Sequence, residues 1–367
     1  MNRVFFSAEA QARYTDDQFA GLAKLAALAN DYEVAAVVVA GDVFDDVIPD
    51  RRIVNRTVEA LKQFDVPVFL LPGNHDPSSP ESVWLNSSLS AKLPANVIVM
   101  DESSVGVLCE GRLEIVGAPW TSKRPDRDLV AERLSALEAT GASTVRVLVG
   151  HGGVDAINPD PGNLNLIRLS EVEDAIQKGF IHYLALGDRH SALPIGNSGR
   201  IWYSGASLMT NFREDFATTN RALIVELEPE FTVREIEIGE WEFRRVEISA
   251  SGRDLVRAVK SEIDRTGDRG RRAVRFVLEG TVSLAERAEI DQLIDEAGDL
   301  YGSIGLSKRS GNLAVVADDE DLEKLHLGGY GDAAVAELVE MSRNGGEEAE
   351  DALLALRTLF RLIEGVS

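Results

Sequence analysis

The stretch Val34-Ala-Ala-Val-Val-Val-Ala-Gly-Asp-Val-Phe-Asp45 joins seven apolar residues to a glycine and then to two carboxylates. A continuous run rich in β-branched residues and bounded by glycine is typical of a strand buried on both faces. The glycine lets the backbone turn sharply, so the next side chain, Asp42, points into the crevice at the strand end. This stretch therefore predicts a buried strand that ends in chemically active groups.

Helices and strands alternate around this stretch. Apolar residues recur at helical spacing within 16–30 and again from Val54 to Leu61. Further buried strands are predicted at 66–71, 145–149 and 180–186. This alternation predicts an α/β fold with a layered sheet core flanked by helices.

The pattern changes after residue 241, which suggests a domain boundary. Residues 242–330 contain strand, helix, strand and helix patterns typical of a small α+β domain. Residues 331–367 are two helical stretches separated by Asn344-Gly-Gly346, and the second carries an apolar stripe that includes Leu356. Packing on its own protein is the default explanation of this stripe, and a partner-binding helix is the alternative.

Composition limits the classes of function. The 367 residues carry a net charge of −23, which opposes broad electrostatic attachment to nucleic acid or to an anionic membrane. The single cysteine, Cys109, excludes an internal disulfide or a thiolate metal cluster. With no long apolar segment and no signal-peptide pattern, we expect a cytoplasmic protein that does not bind membranes.

Polar residues follow four predicted strands at the point where each strand ends. The carboxyl ends of strands in an α/β sheet form the crevice where ligands bind, so we expect these side chains to converge. Carboxylate, amide and imidazole donors without thiolate suit manganese, iron or zinc. Any one Gly-Asp turn or histidine is ordinary; the repetition at four strand ends is not. The residues are Asp42, Asp45, Asn74, His75, Asp76, His151, Asp188 and His190.

Four motifs resemble those of the calcineurin-like metallophosphoesterases. They are Gly41-Asp-Val-Phe-Asp45, Gly73-Asn-His-Asp76, Gly150-His151 and Gly187-Asp-Arg-His190. With Gly117-Ala-Pro-Trp120, Tyr203-Ser-Gly205 and the small second domain, the chain is most similar to the SbcD-type nuclease subunit of DNA double-strand-break repair.

The resemblance implies a role for each residue. Two divalent ions, usually manganese and roughly 3.5–4 Å apart, would polarise a DNA phosphodiester bond during hydrolysis. His75 would be the general acid, with Asp45 and Asp76 in support. Asp42 would bridge the ions, Asn74, His151 and Asp188 would hold one of them, and His190 would hold the other.

The resemblance also implies partners. The domain at 242–330 would be a capping domain that helps to place DNA, and 331–367 would dock on an SbcC-type coiled-coil ATPase. No Gly-x4-Gly-Lys-Ser/Thr motif is present, so ATP hydrolysis would come from that partner. A homodimer within a larger complex is expected.

Two departures from the family keep alternatives open. No Asp-x-His motif precedes Gly41, so one ion would have only Asp42 and His190. Gly187-Asp-Arg-His190 also has Asp188 where the family usually has histidine, so Asp188 either replaces that ligand or marks a lost site. The alternatives are a nuclease whose opening strand is encoded upstream of Met1, a weakened or inactive subunit that binds DNA or a partner, and a small-molecule phosphodiesterase.

Overall fold

The computed structural model describes residues 3–85, 89, 91–157, 159–160, 162–265, 267–307, 313–316, 321, 325, 327–343 and 347–363. The chain forms two compact units, one built mainly from Ala12–Trp241 and the other from Arg3–Gln11 and the chain from Glu242 onward. Among the described residues, no helix is both long and apolar enough to cross a lipid bilayer.

The first unit contains two main sheets. A three-stranded parallel sheet has the order β1-β2-β3, and a six-stranded sheet has the order β4-β5-β6-β7-β9-β8 with antiparallel β4 and β8 at its edges. A separate antiparallel hairpin follows. The strands are β1 (Val37–Val39), β2 (Val68–Leu70), β3 (Val97–Val99), β4 (Val105–Leu108), β5 (Leu113–Gly117), β6 (Val145–His151), β7 (Tyr183–Gly187), β8 (Ala192–Pro194), β9 (Ile201–Ser204), β10 (Arg221–Glu226) and β11 (Thr232–Glu237).

The two sheets pack face to face between two layers of helices. Side chains alternate along a strand, so Val147 and Val149 of β6 lie in the core shared with Phe69 of the other sheet, whereas Leu148 packs towards helices. Burying a side chain such as Leu148 contributes about 1.5–3 kcal/mol. The helices of this unit are α1 (Ala8–Asp31) and α2 (Arg51–Leu61) beside the smaller sheet, and α3 (Leu129–Ser135) and α4 (Leu169–Gln177) beside the larger one.

The predicted α/β class is confirmed, with differences in detail. The strand predicted over 34–40 is shorter, since β1 covers only Val37–Val39. Both of its faces meet apolar cores, yet its residues are half-buried because β2 is its only strand partner among the described residues. The strand ends that carry the candidate ligands were expected at the edge of one open sheet. They come instead from two sheets, because β1 and β2 pair with β3 while β6 and β7 lie in the larger sheet.

The second unit is a parallel sheet with helices. Strand β13 is central, pairing with β12, β14 and β15. Its core combines Leu255 and Val259 with Phe276 and Ile290, the inward-facing residues of two helices and the sheet. The elements are β12 (Glu242–Ser249), α5 (Gly252–Ile263), β13 (Arg272–Val282), α6 (Leu284–Gly298), β14 (Ser303–Leu306) and β15 (Leu313–Val315).

Two helices end the described chain, α7 (Tyr330–Arg343) and α8 (Glu347–Ile363). Leu356 of the predicted stripe is fully buried against Leu284, Val335 and Val339, so part of the stripe packs on its own protein. The predicted break at 344–346 lies outside the described residues.

Candidate functional site

Three of the predicted ligands lie around one nitrogen of a fourth, Nε2 of His151. An Asp42 carboxylate oxygen is 3.4 Å from it and an Asp188 oxygen is 3.9 Å from it. One terminal atom of the Asn74 amide is 2.9 Å away in either orientation of that amide. The group therefore joins the ends of β1, β2, β6 and β7, across both sheets.

Close approach of the backbone explains the glycines at these ends. A Cβ at Gly187 would lie 1.7 Å from the carbonyl oxygen of Ala40, and one at Gly41 would lie 2.1 Å from Nδ1 of His151. The two carboxylates follow directly with positive φ angles, 54° at Asp42 and 94° at Asp188. Such strained backbone in non-glycine residues is typical of functional sites.

A hydrogen bond to the backbone of Ala40 holds the His151 imidazole in one orientation. Its Nδ1 is 2.8 Å from the carbonyl oxygen of Ala40, which can only accept, so Nδ1 carries a proton. Its main-chain oxygen accepts the Trp120 indole N–H at 2.7 Å. Nε2 is thereby directed at the carboxylates and the Asn74 amide. With Nε2 as acceptor, the amide directs its NH2 group to this nitrogen and to the Asp42 carboxylate at 3.1 and 3.2 Å.

Mutual attraction between the Asp42 carboxylate and the His151 cation shifts the pKa of both groups. Burial opposes ionisation of Asp42, but the hydrogen bond and charge of His151, with the His75 N–H, outweigh burial and lower the pKa of this carboxyl. Burial likewise disfavours the His151 cation, but Asp42 outweighs it and raises the pKa of the imidazole. A cation would replace the His151 proton in stabilising Asp42, because metal ligands must be deprotonated.

His75 lies at the exposed side of this group. Its backbone N–H donates to Asp42 at 2.9 Å. Its Nδ1 is 3.2 Å from the main-chain oxygen of Asp45, so Nδ1 is the donor to that carbonyl and Nε2 remains for a substrate. Asp45 thus supports His75 through its backbone.

Asp76 is a structural residue that connects two turns of the site by hydrogen bonds. Its fully buried carboxylate accepts the N–H groups of Gly73 at 2.8 Å and Phe44 at 3.0 Å, and its main-chain oxygen accepts the Trp84 indole N–H at 2.6 Å. It therefore joins the turn after β1 to the turn after β2. Burial raises the pKa of Asp76 to about 7, although the two N–H bonds oppose the rise.

The raised pKa predicts an unusual pH dependence for Asp76. Between the unfolded value near 3.8 and the folded value of about 7, the native state binds more protons than the unfolded state, so this group loses stability as pH rises. The contribution is at most about 4 kcal/mol, since one pKa unit corresponds to ~1.36 kcal/mol. Denaturant unfolding in chelator should show wild type losing stability relative to Asp76→Asn from pH 5 to 8. Parallel pH profiles of the two proteins would contradict this assignment.

His190 belongs to a different set of contacts. Its Nδ1 lies 2.7 Å from Glu214 Oε1 and 2.7 Å from the Thr210 hydroxyl. The hydrogen bond to Glu214 raises the pKa of His190 against the effect of burial, and the charges of Asp188 and Asp42 add to the rise. The sequence motifs did not include Glu214, which stands 24 residues from His190 with no local pattern to mark it.

The donor set fits one divalent cation. Among the described residues, no three His, Cys, Asp or Glu side chains form a metal site by themselves. The asparagine amide, which is hydrogen-bonded to His151, adds a further donor. Carboxylate, amide and imidazole groups around Nε2 suit manganese, iron or zinc. A second ion is not fitted by Asp42 and His190 alone, because two protein ligands are too few to hold it.

Comparison with known proteins gives one strong match. A profile named Metallophos, calcineurin-like phosphoesterase, matches residues 15–217. No curated protein matches the chain. The crystal structure of TT1561 of Thermus thermophilus is 14% identical with a TM-score of 0.41, covering 60% of this chain and 94% of that one. A second solved structure is 15% identical with a TM-score of 0.38, covering 61% and 95%.

Proposed function

The chain belongs to the calcineurin-like phosphoesterases, and from that premise we propose that it is a metal-dependent hydrolase of DNA phosphodiester bonds similar to the SbcD-type nucleases. The observation that carries the proposal is the convergence of Asp42, Asn74 and Asp188 on Nε2 of His151. A phosphoesterase of this family binds divalent metal, and at this position carboxylate, amide and imidazole donors from four strand ends meet.

These four residues would hold one divalent ion, for which we propose manganese. A bound ion supplies Lewis-acid stabilisation of the charge that develops on the phosphoryl group. The second ion of the family would have only Asp42 and His190, so no step is assigned to it.

His75 is proposed as the general acid. Its imidazole is exposed, and the Asp45 carbonyl fixes Nδ1 as a donor, which leaves Nε2 facing solvent and substrate. In its cationic form the imidazole transfers the Nε2 proton to the leaving oxygen as the ester bond breaks. The bond from its backbone N–H to Asp42 holds it beside the metal ligands.

An exposed basic pair supports DNA as the substrate. Lys123 and Arg124 are exposed on the loop that begins after Trp120, whose indole contacts the backbone of His151. Cations on a loop that starts at a residue of the site can bind the phosphates that flank a scissile bond in an extended chain. The overall charge of −23 repels polyanions such as DNA. This repulsion favours a small phosphodiester as the second candidate substrate.

An SbcC-type ATPase partner and a homodimer remain part of the proposal through the sequence resemblance. The C-terminal helices support a partner, because Tyr330, Leu354 and Leu362 expose 97%, 54% and 72% of their surface. Exposed apolar side chains of this kind mark interaction sites when they lie together.

The substrate is tested with purified protein and manganese on single-stranded DNA, double-stranded DNA and a chromogenic phosphodiester. We expect DNA cleavage that chelator abolishes. In Lys123→Glu/Arg124→Glu the KM for DNA should rise about tenfold. The salt dependence of DNA binding should weaken by the equivalent of about two phosphate contacts, and hydrolysis of the chromogenic ester should be unaffected.

Arg168→Glu/Lys178→Glu is the matched control, since it makes the same charge change at exposed residues that flank α4 at its two ends. Turnover of the small ester with intact DNA would identify the small-molecule enzyme. Inertness towards both substrates would identify a non-catalytic subunit.

A further inference from the structure

A nearly buried carboxylate, Glu214, lies beside the half-exposed His190. The Glu214 side chain is 7% exposed and the His190 side chain 43% exposed. Besides His190, Glu214 accepts the backbone N–H of Thr210 at 2.7 Å, the Thr210 hydroxyl at 2.5 Å and the Asn211 amide. These bonds fix the position of the carboxylate before any ligand binds.

The hydrogen-bond pattern determines which His190 nitrogen carries the proton. A hydroxyl has one hydrogen, and Thr210 gives it to Glu214. The contact of 2.7 Å between Thr210 Oγ1 and His190 Nδ1 then requires Nδ1 to be the donor. A carboxylate can only accept, so the contact of 2.7 Å to Glu214 requires the same. Nδ1 is therefore protonated, and the lone pair of the neutral ring is on Nε2.

We propose that Glu214 is a positioning residue that fixes His190 in the Nδ1-protonated tautomer, so that Nε2 presents its lone pair at the catalytic site. Carboxylates play this part for ligating and catalytic histidines, setting both ring orientation and tautomer. Without Glu214, the half-exposed imidazole keeps only the bond to Thr210 among the ring hydrogen bonds that the structure describes.

The role of Glu214 in catalysis rests on the proposed function, but the tautomer of His190 does not. His190 follows Asp188 by two residues in the chain, and the charges of Asp188 and Asp42 contribute to its raised pKa. An Nε2 lone pair serves a cation or a proton. The opposite tautomer would present an N–H and serve neither.

Nitrogen-15 NMR of the chelator-treated full chain tests the tautomer directly. The chain has five histidines, and the signals missing in His190→Gln assign His190. At alkaline pH, where the ring is neutral, wild type should show the Nδ1–H form. In Glu214→Ala the Nδ1–H form should no longer predominate. Glu214→Gln is the substitute if the alanine variant fails to fold, and its tautomer population should shift in the same direction. A wild-type ring protonated on Nε2, or a tautomer unchanged in both variants, would overturn the proposal.

Two controls separate positioning from loop structure. Thr210→Val removes a hydrogen bond of the same loop but keeps the Glu214 carboxylate, so the His190 tautomer should be retained. Loss of the tautomer in this variant as well would show that loop order, and not the carboxylate, decides it. Glu171→Gln neutralises an exposed glutamate of α4 and should leave both tautomer and turnover unchanged.

Kinetics provide the second readout. If the chain is a phosphodiesterase, Glu214→Gln should lower kcat about 10- to 100-fold with KM nearly unchanged. A wild type without phosphodiesterase activity would contradict the proposed function and leave the NMR result standing. Active wild type with an unchanged kcat in Glu214→Gln would contradict the positioning role alone.

Discussion

Asp42→Asn is expected to lower phosphodiester hydrolysis about 10³-fold. Asp42 contributes a negative donor at the centre of the site, beside His151 and Asn74. Losing that charge weakens cation binding, and an ion contributes several kcal/mol to transition-state stabilisation. Each 1.36 kcal/mol corresponds to a factor of ten in rate, so about 4 kcal/mol gives this loss. Initial rates on the chromogenic ester and on DNA, at the manganese concentration that just saturates wild type, measure it.

Asparagine is chosen because it leaves the fold intact. Its side-chain oxygen can still accept the His75 N–H that Asp42 accepts at 2.9 Å. Circular dichroism and denaturant unfolding should therefore resemble wild type, while manganese affinity measured by calorimetry falls. An Asp42→Asn enzyme within a few-fold of wild-type activity would show that the reaction takes place elsewhere on the chain.

Gly187→Ala is expected to destabilise the protein by about 3 kcal/mol or more, at the upper end of the range for overpacked sites. The added methyl would lie 1.7 Å from the carbonyl oxygen of Ala40 and 2.9 Å from Nδ1 of His151. Relief requires backbone movement between β7 and the end of β1, since the main obstacle is a carbonyl and not the tip of a flexible side chain. Such movement also lengthens the bond from His151 to Ala40, which orients the imidazole.

Gly21→Ala is the matched control for this substitution. Gly21 lies inside α1 with nothing within 4 Å of an added Cβ, so alanine there should stabilise the protein by about 0.5–1 kcal/mol through helix propensity. Guanidinium unfolding of both variants, analysed with a common slope, measures the contrast. Equal stability of the two glycine variants would mean that the strand end relaxes without cost.

The chemical groups at the strand ends were predictable from local sequence. Apolar runs specify β1, β2, β6 and β7, and the glycine after or within each run marks where a polar side chain can leave the sheet. That local pattern identifies Asp42, Asn74, His151 and Asp188 before any contact is known. The helix patterns within 16–30 and 54–61 were equally local, and the helices extend to Ala8–Asp31 and Arg51–Leu61.

Other parts of the site depend on contacts between distant residues. Glu214 faces His190 across 24 residues, and Asp76 receives its second hydrogen bond from Phe44, 32 residues earlier. No periodicity relates such positions, because periodicity reports which face of an element is buried and not which turn lies opposite. The division of His190 from the group around His151 was unpredictable for the same reason.

The sequence by itself determined the α/β class and the polar turns at the strand ends, because strand burial and glycine-assisted turns are properties of consecutive residues. Only the tertiary structure decided that the four turns come from two facing sheets and that Asp76 ties two of them together. It also decided that a nearly buried glutamate holds His190. These outcomes depend on how separate elements pack, and packing is fixed by the shapes and hydrogen bonds of groups far apart in the chain.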